Sequence, residues 1–168
     1  MRAYLRQRLP YLRPGRDNRR ALVEALFDQH ELKLRYDGGQ TRTAAQAFAA
    51  RAGNCLSLVI MTAAFAKHLD LPVVYRNVAL PDTYSRSGAL TMASRHVNLS
   101  LGPPPGRAAY SSDPGAWLTV DFLPQEDLGR QRVTPVAEAT IVAMYLNNRA
   151  AEALANGHID QAYAWARD

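Results

Sequence analysis

The chain has 168 residues, a mass of 18.6 kDa and 48% apolar residues, which suits one full core with a small appendage. A lone cysteine excludes an internal disulfide, and the longest apolar run, residues 56–66, is interrupted by Ser57 and Thr62 and is too short to span a membrane. The net charge of +5 is uneven: Arg2, Arg6, Arg8, Arg13, Arg16, Arg19 and Arg20 stand against Asp17 alone at the start of the chain.

That arginine run reads as a solvated helix and turn. No nucleic-acid partner is expected, because no zinc-finger spacing, glycine-rich phosphate loop or interleaved aromatics accompany it. The opening also lacks the apolar stretch of a secretory signal. Compartment stays open, since a cytoplasmic protein and a piece of an exported parent would read alike.

In chain order, Tyr4, Leu5 and Leu9 predict a short helix stopped by Pro10. Asp17 or Asn18 caps a second helix with Leu22, Val23, Leu26 and Phe27 as its apolar stripe. Asp37-Gly38-Gly39 is a turn, and Thr41 or Thr43 opens a short helix with Ala44, Ala47 and Phe48 inward, broken by Gly53. Residues 55–69 follow as a buried central helix through Leu58, Val59, Thr62, Phe65, Ala66 and Leu69.

Beyond Pro72 the period changes to that of strands. Residues 73–80 are rich in β-branched and aromatic side chains, whereas residues 81–89 read as a polar loop. Residues 95–101 alternate, with Val97, Leu99 and Leu101 on one face and His96, Asn98 and Ser100 on the other. The proline-rich residues 102–115 predict a partly ordered flap. Residues 117–122 form a strand again, with Leu118, Val120 and Phe122 opposite Trp117, Thr119 and Asp121. The fold expected is α+β, with N-terminal helices on a mostly antiparallel sheet.

Residues 140–156 and 159–167 predict a helical hairpin turning at Gly157, with Ala150, Ala153, Leu154, Ala162 and Trp165 meeting across it. Tyr145 and Trp165 are its expected anchors, and the 133–144 segment its contact with the core. The alanine-rich pair resembles the first unit of a tetratricopeptide repeat, and its chain ends within the second helix, as though more repeats followed. The domain division expected is 1–134 and 135–168.

Three residues stand out chemically. Cys55 opens a helix, where backbone N–H groups and the positive dipole end stabilise a thiolate. Gly53 permits close approach, and the Cys55 N–H can donate to a developing oxyanion. Asn54 can cap the helix, contact substrate or hold the turn. His96 and Asp121, each on the polar face of a strand, supply a base and a carboxylate to orient it. The bland alternatives are a small buried cysteine, a surface histidine and an edge carboxylate. A zinc site at the same three residues would require them around one point, not with histidine between the others, so no metal and no cofactor are expected.

The stretches Arg51-Ala52-Gly53-Asn54-Cys55-Leu56-Ser57, Arg95-His96-Val97-Asn98-Leu99 and Thr119-Val120-Asp121-Phe122 resemble the Cys, His and Asp motifs of the transglutaminase-like superfamily. The closest resemblance is to its bacterial branch, in which such a core precedes tetratricopeptide repeats, and Thr41-Arg42-Thr43-Ala44 shares it. The resemblance implies a papain-like core with Cys55 as nucleophile, His96 as general base and later acid, and Asp121 as orienter. Ala49 stands where papain-type enzymes place a glutamine, which leaves a backbone group, Asn54 or Gln46 as oxyanion or substrate-positioning donor.

The function expected is thiol-dependent acyl transfer at an amide bond, by hydrolysis or crosslinking, on a protein or peptide substrate. The alternative is an inactive interaction module of the same fold that recruits a protein partner through its helical C-terminal region. Tyr75, Arg76, Tyr84, Arg86 and Trp117 are candidate groove residues, or ordinary strand and loop positions.

Overall fold

In a computed structural model, residues 3–4, 17–87, 90–103, 116–123 and 132–167 are described. Their elements are α1 (Asn18–Phe27), β1 (Arg35–Tyr36), α2 (Ala44–Ala50), β2 (Ala52–Gly53), α3 (Cys55–His68), β3 (Val73–Ser87), β4 (Leu90–Leu101), β5 (Leu118–Val120), β6 (Arg132–Val136), α4 (Glu138–Ala155) and α5 (Ile159–Arg167). The fold is α+β, with N-terminal helices and an antiparallel sheet of order β5-β4-β3-β6. No helix among the described residues is long and apolar enough to cross a membrane.

Local chemistry starts each helix. Asp17 caps α1 by accepting from the Arg19 N–H, and its carboxylate also pairs with the Arg19 guanidinium. Thr43 and Gln46 form a reciprocal capping box on α2. Asn54 caps α3, whose Leu58, Val59, Met61, Phe65 and Ala66 are buried at the centre of the molecule. Leu22 and Leu26 of α1, Val97, Leu99 and Leu101 of β4, Val120 of β5 and Ile141 of α4 complete the same apolar cluster. Tyr4 adds a ring 5.6 Å from Phe48 and 6.1 Å from Phe65. Phe27, expected inside, is 46% exposed, with its ring 5.5 Å from Phe122.

The expected polar loop at residues 81–89 is instead strand backbone over most of its length. β3 runs to Ser87 and β4 begins at Leu90, with Thr83↔Ser94 through Ser87↔Leu90 in register. The register shifts between Val78 and Thr83, so Pro81 falls where no pair is made and its missing N–H breaks no ladder bond. The first helix from Leu5 to Pro10 lies outside the described residues, as do residues 104–115 of the expected flap.

β6 pairs with β3 from Ala79↔Arg132 to Tyr75↔Val136, and α4 follows directly. Ile141 is buried, with Val136, Met144 and Tyr145 packed against the core. Across the hairpin, Ala153 and Ala162 are buried, and the Tyr145 and Trp165 rings meet edge-on at 6.3 Å. Leu154 corrects the expected contact set: it is 44% exposed, because it lies about 100° round the helix from inward-facing Ala153.

Candidate functional site

Three short pieces deliver Cys55 to the start of α3. Arg51 ends α2 in the left-handed region at φ 50°, which turns the chain into β2. β2 pairs in parallel with β1, placing Tyr36 opposite Gly53, and the Asp37 N–H donates to the Gly53 carbonyl at 2.9 Å. A Cβ on Gly53 would lie 2.8 Å from Ser57 Cβ, closer than side chains pack, so only glycine lets the chain pass this near to α3. Asn54 then caps α3: its Oδ1 accepts from Ser57 N at 2.9 Å and Ser57 Oγ at 2.7 Å, while its Nδ2 donates to Thr41 Oγ1 at 2.9 Å. Cys55 follows, half-buried, in the first turn, where backbone N–H groups have no intrahelical acceptor.

His96 and Asp121 meet across the β4–β5 pair, whose register runs from Leu99↔Val120 to Leu101↔Leu118. His96 is 3% exposed; its Nε2 donates to Asp121 Oδ1 at 2.8 Å and lies 3.0 Å from Oδ2. Asp121 is held in turn by Asn98 Nδ2 at 2.8 Å and by the Leu123 N–H at 2.9 Å. The Cys55 side chain stands within hydrogen-bonding reach of the imidazole. With Nε2 committed to Asp121, Nδ1 is the ring nitrogen left for sulfur.

Burial is the largest influence on His96 and opposes its charge. The hydrogen bonds to Asp121 and then to Cys55, with the charges of both, outweigh it and push His96 up to about 9. Asp121 moves the other way. Burial raises it, but bonds from His96, the Leu123 N–H and Asn98 hold the carboxyl below its ordinary range. The pair is therefore imidazolium and carboxylate at neutral pH, with histidine between the acid and the thiol.

Of the five residues singled out from sequence, Cys55, His96 and Asp121 are brought together, and Asn54 adjoins them as the helix cap. Gln46 is not brought in: its Oε1 accepts from Thr43 N at 2.9 Å and Thr43 Oγ1 at 3.0 Å on the exposed start of α2. Tyr75 is 7% exposed within the core cluster, and the Trp117 ring lies close against Gly102.

Asn98 and Thr41 were missed as site residues. Alternation put Asn98 on the His96 face, but its bond to Asp121 depends on the pairing of β4 with β5. Thr41 looked like a helix opener, yet Thr43 takes that role and Thr41 is 2% exposed beneath α4. Among the described residues, no three His, Cys, Asp or Glu side chains converge as metal ligands would. Compared with protein-family models, curated proteins and solved structures, the chain matches none.

Proposed function

We propose that the protein is a thiol-dependent acyl-transfer enzyme acting on amide bonds, with Cys55 as nucleophile, His96 as general base and then acid, and Asp121 as orienter. The observation that carries this reading is a buried imidazole bonded on one side to Asp121 and within hydrogen-bonding reach of Cys55. Its transglutaminase-like, papain-type form and a tetratricopeptide-like role for α4 and α5 belong to the same proposal. A nucleophile helix beside a sheet carrying base and acid, followed by a helical pair, supports them.

His96 takes the Cys55 thiol proton to form the thiolate–imidazolium pair, and the thiolate then attacks the carbonyl carbon of a protein or peptide amide while the carbonyl π electrons move to oxygen. Backbone N–H groups at the start of α3 receive that oxyanion. Collapse breaks the C–N bond, the imidazolium gives its proton to the departing amine, and a thioester remains. Water, deprotonated by the now neutral His96, attacks the thioester carbonyl; the C–S bond breaks, the carboxylic acid leaves, and the thiolate–imidazolium pair is restored. An incoming amine gives a crosslink by the same route. Hydrolysis is favoured, because water needs no second binding site.

The test is alkylation by iodoacetamide across pH, comparing wild type with His96→Ala. Near neutral pH the wild-type thiol should react roughly 10-fold faster or more. Equal rates and equal pH profiles would falsify the activated-nucleophile reading.

A further inference from the structure

The polar contacts at the start of α3 continue into the C-terminal hairpin. Every polar group resolved on buried Thr41 is tied to α4 or to the α3 cap. Its N–H donates to Glu152 Oε1 at 2.6 Å, and its carbonyl accepts from Arg149 Nη1 at 3.4 Å. Its Oγ1 accepts from Asn54 Nδ2 at 2.9 Å and from Asn148 Nδ2 at 3.2 Å, filling both lone pairs of the hydroxyl. Arg149 and Glu152 pair with each other at 2.6 Å. One residue on, the Arg42 N–H donates to Ser57 Oγ at 2.8 Å, which stitches the same segment to the first turn of α3.

We infer that Thr41, clamped by Asn148, Arg149 and Glu152 of α4, is a positioning residue for Cys55 that acts through Asn54; this rests on the acyl-transfer reading. The Asn54 amide has two orientations, and only one presents Oδ1 to the Ser57 N–H as a cap. Thr41 Oγ1, an acceptor for Nδ2, selects that orientation. The cap fixes the first turn of α3, and that turn fixes where the Cys55 sulfur stands relative to the His96 imidazole. Attachment of α4 does not require this arrangement, because Ile141, Met144 and Tyr145 already anchor its first half by apolar packing.

The experiment compares Thr41→Val, Thr41→Ser, Glu152→Ala and Glu152→Gln with wild type and His96→Ala. Each is read by circular dichroism, by iodoacetamide alkylation across pH and by NMR titration of the His96 imidazole. Thr41→Val and Glu152→Ala should slow Cys55 alkylation near neutral pH by roughly 3- to 10-fold and lower the His96 midpoint. Thr41→Ser keeps the acceptor oxygen, and Glu152→Gln keeps the acceptor for the Thr41 N–H, so both should stay within about twofold of wild type. Folded Thr41→Val and Glu152→Ala proteins with the wild-type alkylation profile and His96 midpoint overturn the inference while leaving the triad reading intact. If Thr41→Val does not fold, Glu152→Ala decides alone, since the Glu152 side chain is 25% exposed. If wild type and His96→Ala alkylate alike, the triad reading fails and this inference falls with it.

Discussion

The polar face of β4 and the outer face of α5 break the usual partition in opposite directions. On β4, His96, Asn98 and Ser100 are 3%, 5% and 0% exposed, as deeply buried as Val97, Leu99 and Leu101 on the other face. On α5, Ile159 and Tyr163 are 69% and 67% exposed. The β4 residues tolerate burial because they have partners: His96 and Asn98 share Asp121, and Ser100 Oγ meets Thr119 Oγ1 at 3.0 Å. Even so, Asn98 Oδ1 is buried with no hydrogen-bond partner among the described residues. Such a wall is costly to build for stability alone, since apolar residues of similar size would serve as well or better. The α5 face costs little, because scattered apolar side chains on a surface are ordinary. Departure from the partition is therefore informative on β4 and nearly silent on α5.

The sharpest way to break this contrast is to remove the group that satisfies the buried wall. Asp121→Ala leaves the His96 Nε2–H and the Asn98 amide without their shared acceptor. It should destabilise the protein by about 3 kcal/mol in urea unfolding, as loss of one partner from a buried charged pair does. It should also slow Cys55 alkylation nearly as much as His96→Ala. A loss below about 1 kcal/mol would mean that water already reaches the pair and that the wall is not dry.

The pH dependence is the next largest effect. His96 is raised from an ordinary 6.5 to about 9, so its contribution is full below 6.5 and is lost as pH rises through about 9. Asp121 is lowered, so its contribution is present above its ordinary 3.8 and is lost as pH falls through its folded value. Stability should form a plateau between these limbs, and the alkaline limb should be worth on the order of 3 kcal/mol at most. His96→Gln should flatten that limb when urea midpoints are measured against pH. A wild-type midpoint unchanged from neutral pH to past 9 would show that His96 is not held in its charged form.

How much of this was legible from sequence depends on how local each feature is. The α3 start was readable at Asn54-Cys55, because a cap and a helical apolar period lie within one stretch. The buried alternation of β4 was readable too, since period 2 assigns faces; it did not reveal that both faces would be covered. The pieces that needed distant partners were not readable. The β1–β2 pair is two residues long on each side, too short to carry a period. The strand backbone at residues 81–87 looked like loop, because its polar composition gives no sign of the ladder that Thr83 to Ser87 make with β4. Thr41 and Glu152 are 111 residues apart, and no local pattern links them.

The smallest effect should come from the outer face of α5, and that smallness is what the comparison requires. Ala162 and Trp165 turn toward α4, where the Arg149 guanidinium lies 5.6 Å from the Trp165 ring centroid. Ile159 and Tyr163, four residues apart, share an adjacent, outward-facing side of the helix. Replacing either by lysine removes little packing in the folded chain and adds charge to a surface that is already wet. Ile159→Lys and Tyr163→Lys should each change stability by no more than about 0.5 kcal/mol and leave Cys55 alkylation unaltered. Trp165→Leu supplies the inward control: it removes the ring shared by Tyr145 and Arg149 and should cost about 1–2 kcal/mol. If the two outward variants instead lost as much as Trp165→Leu in thermal or urea unfolding, that face would be covered in solution. The exposed apolar residues of α5 would then be as informative as the buried polar residues of β4.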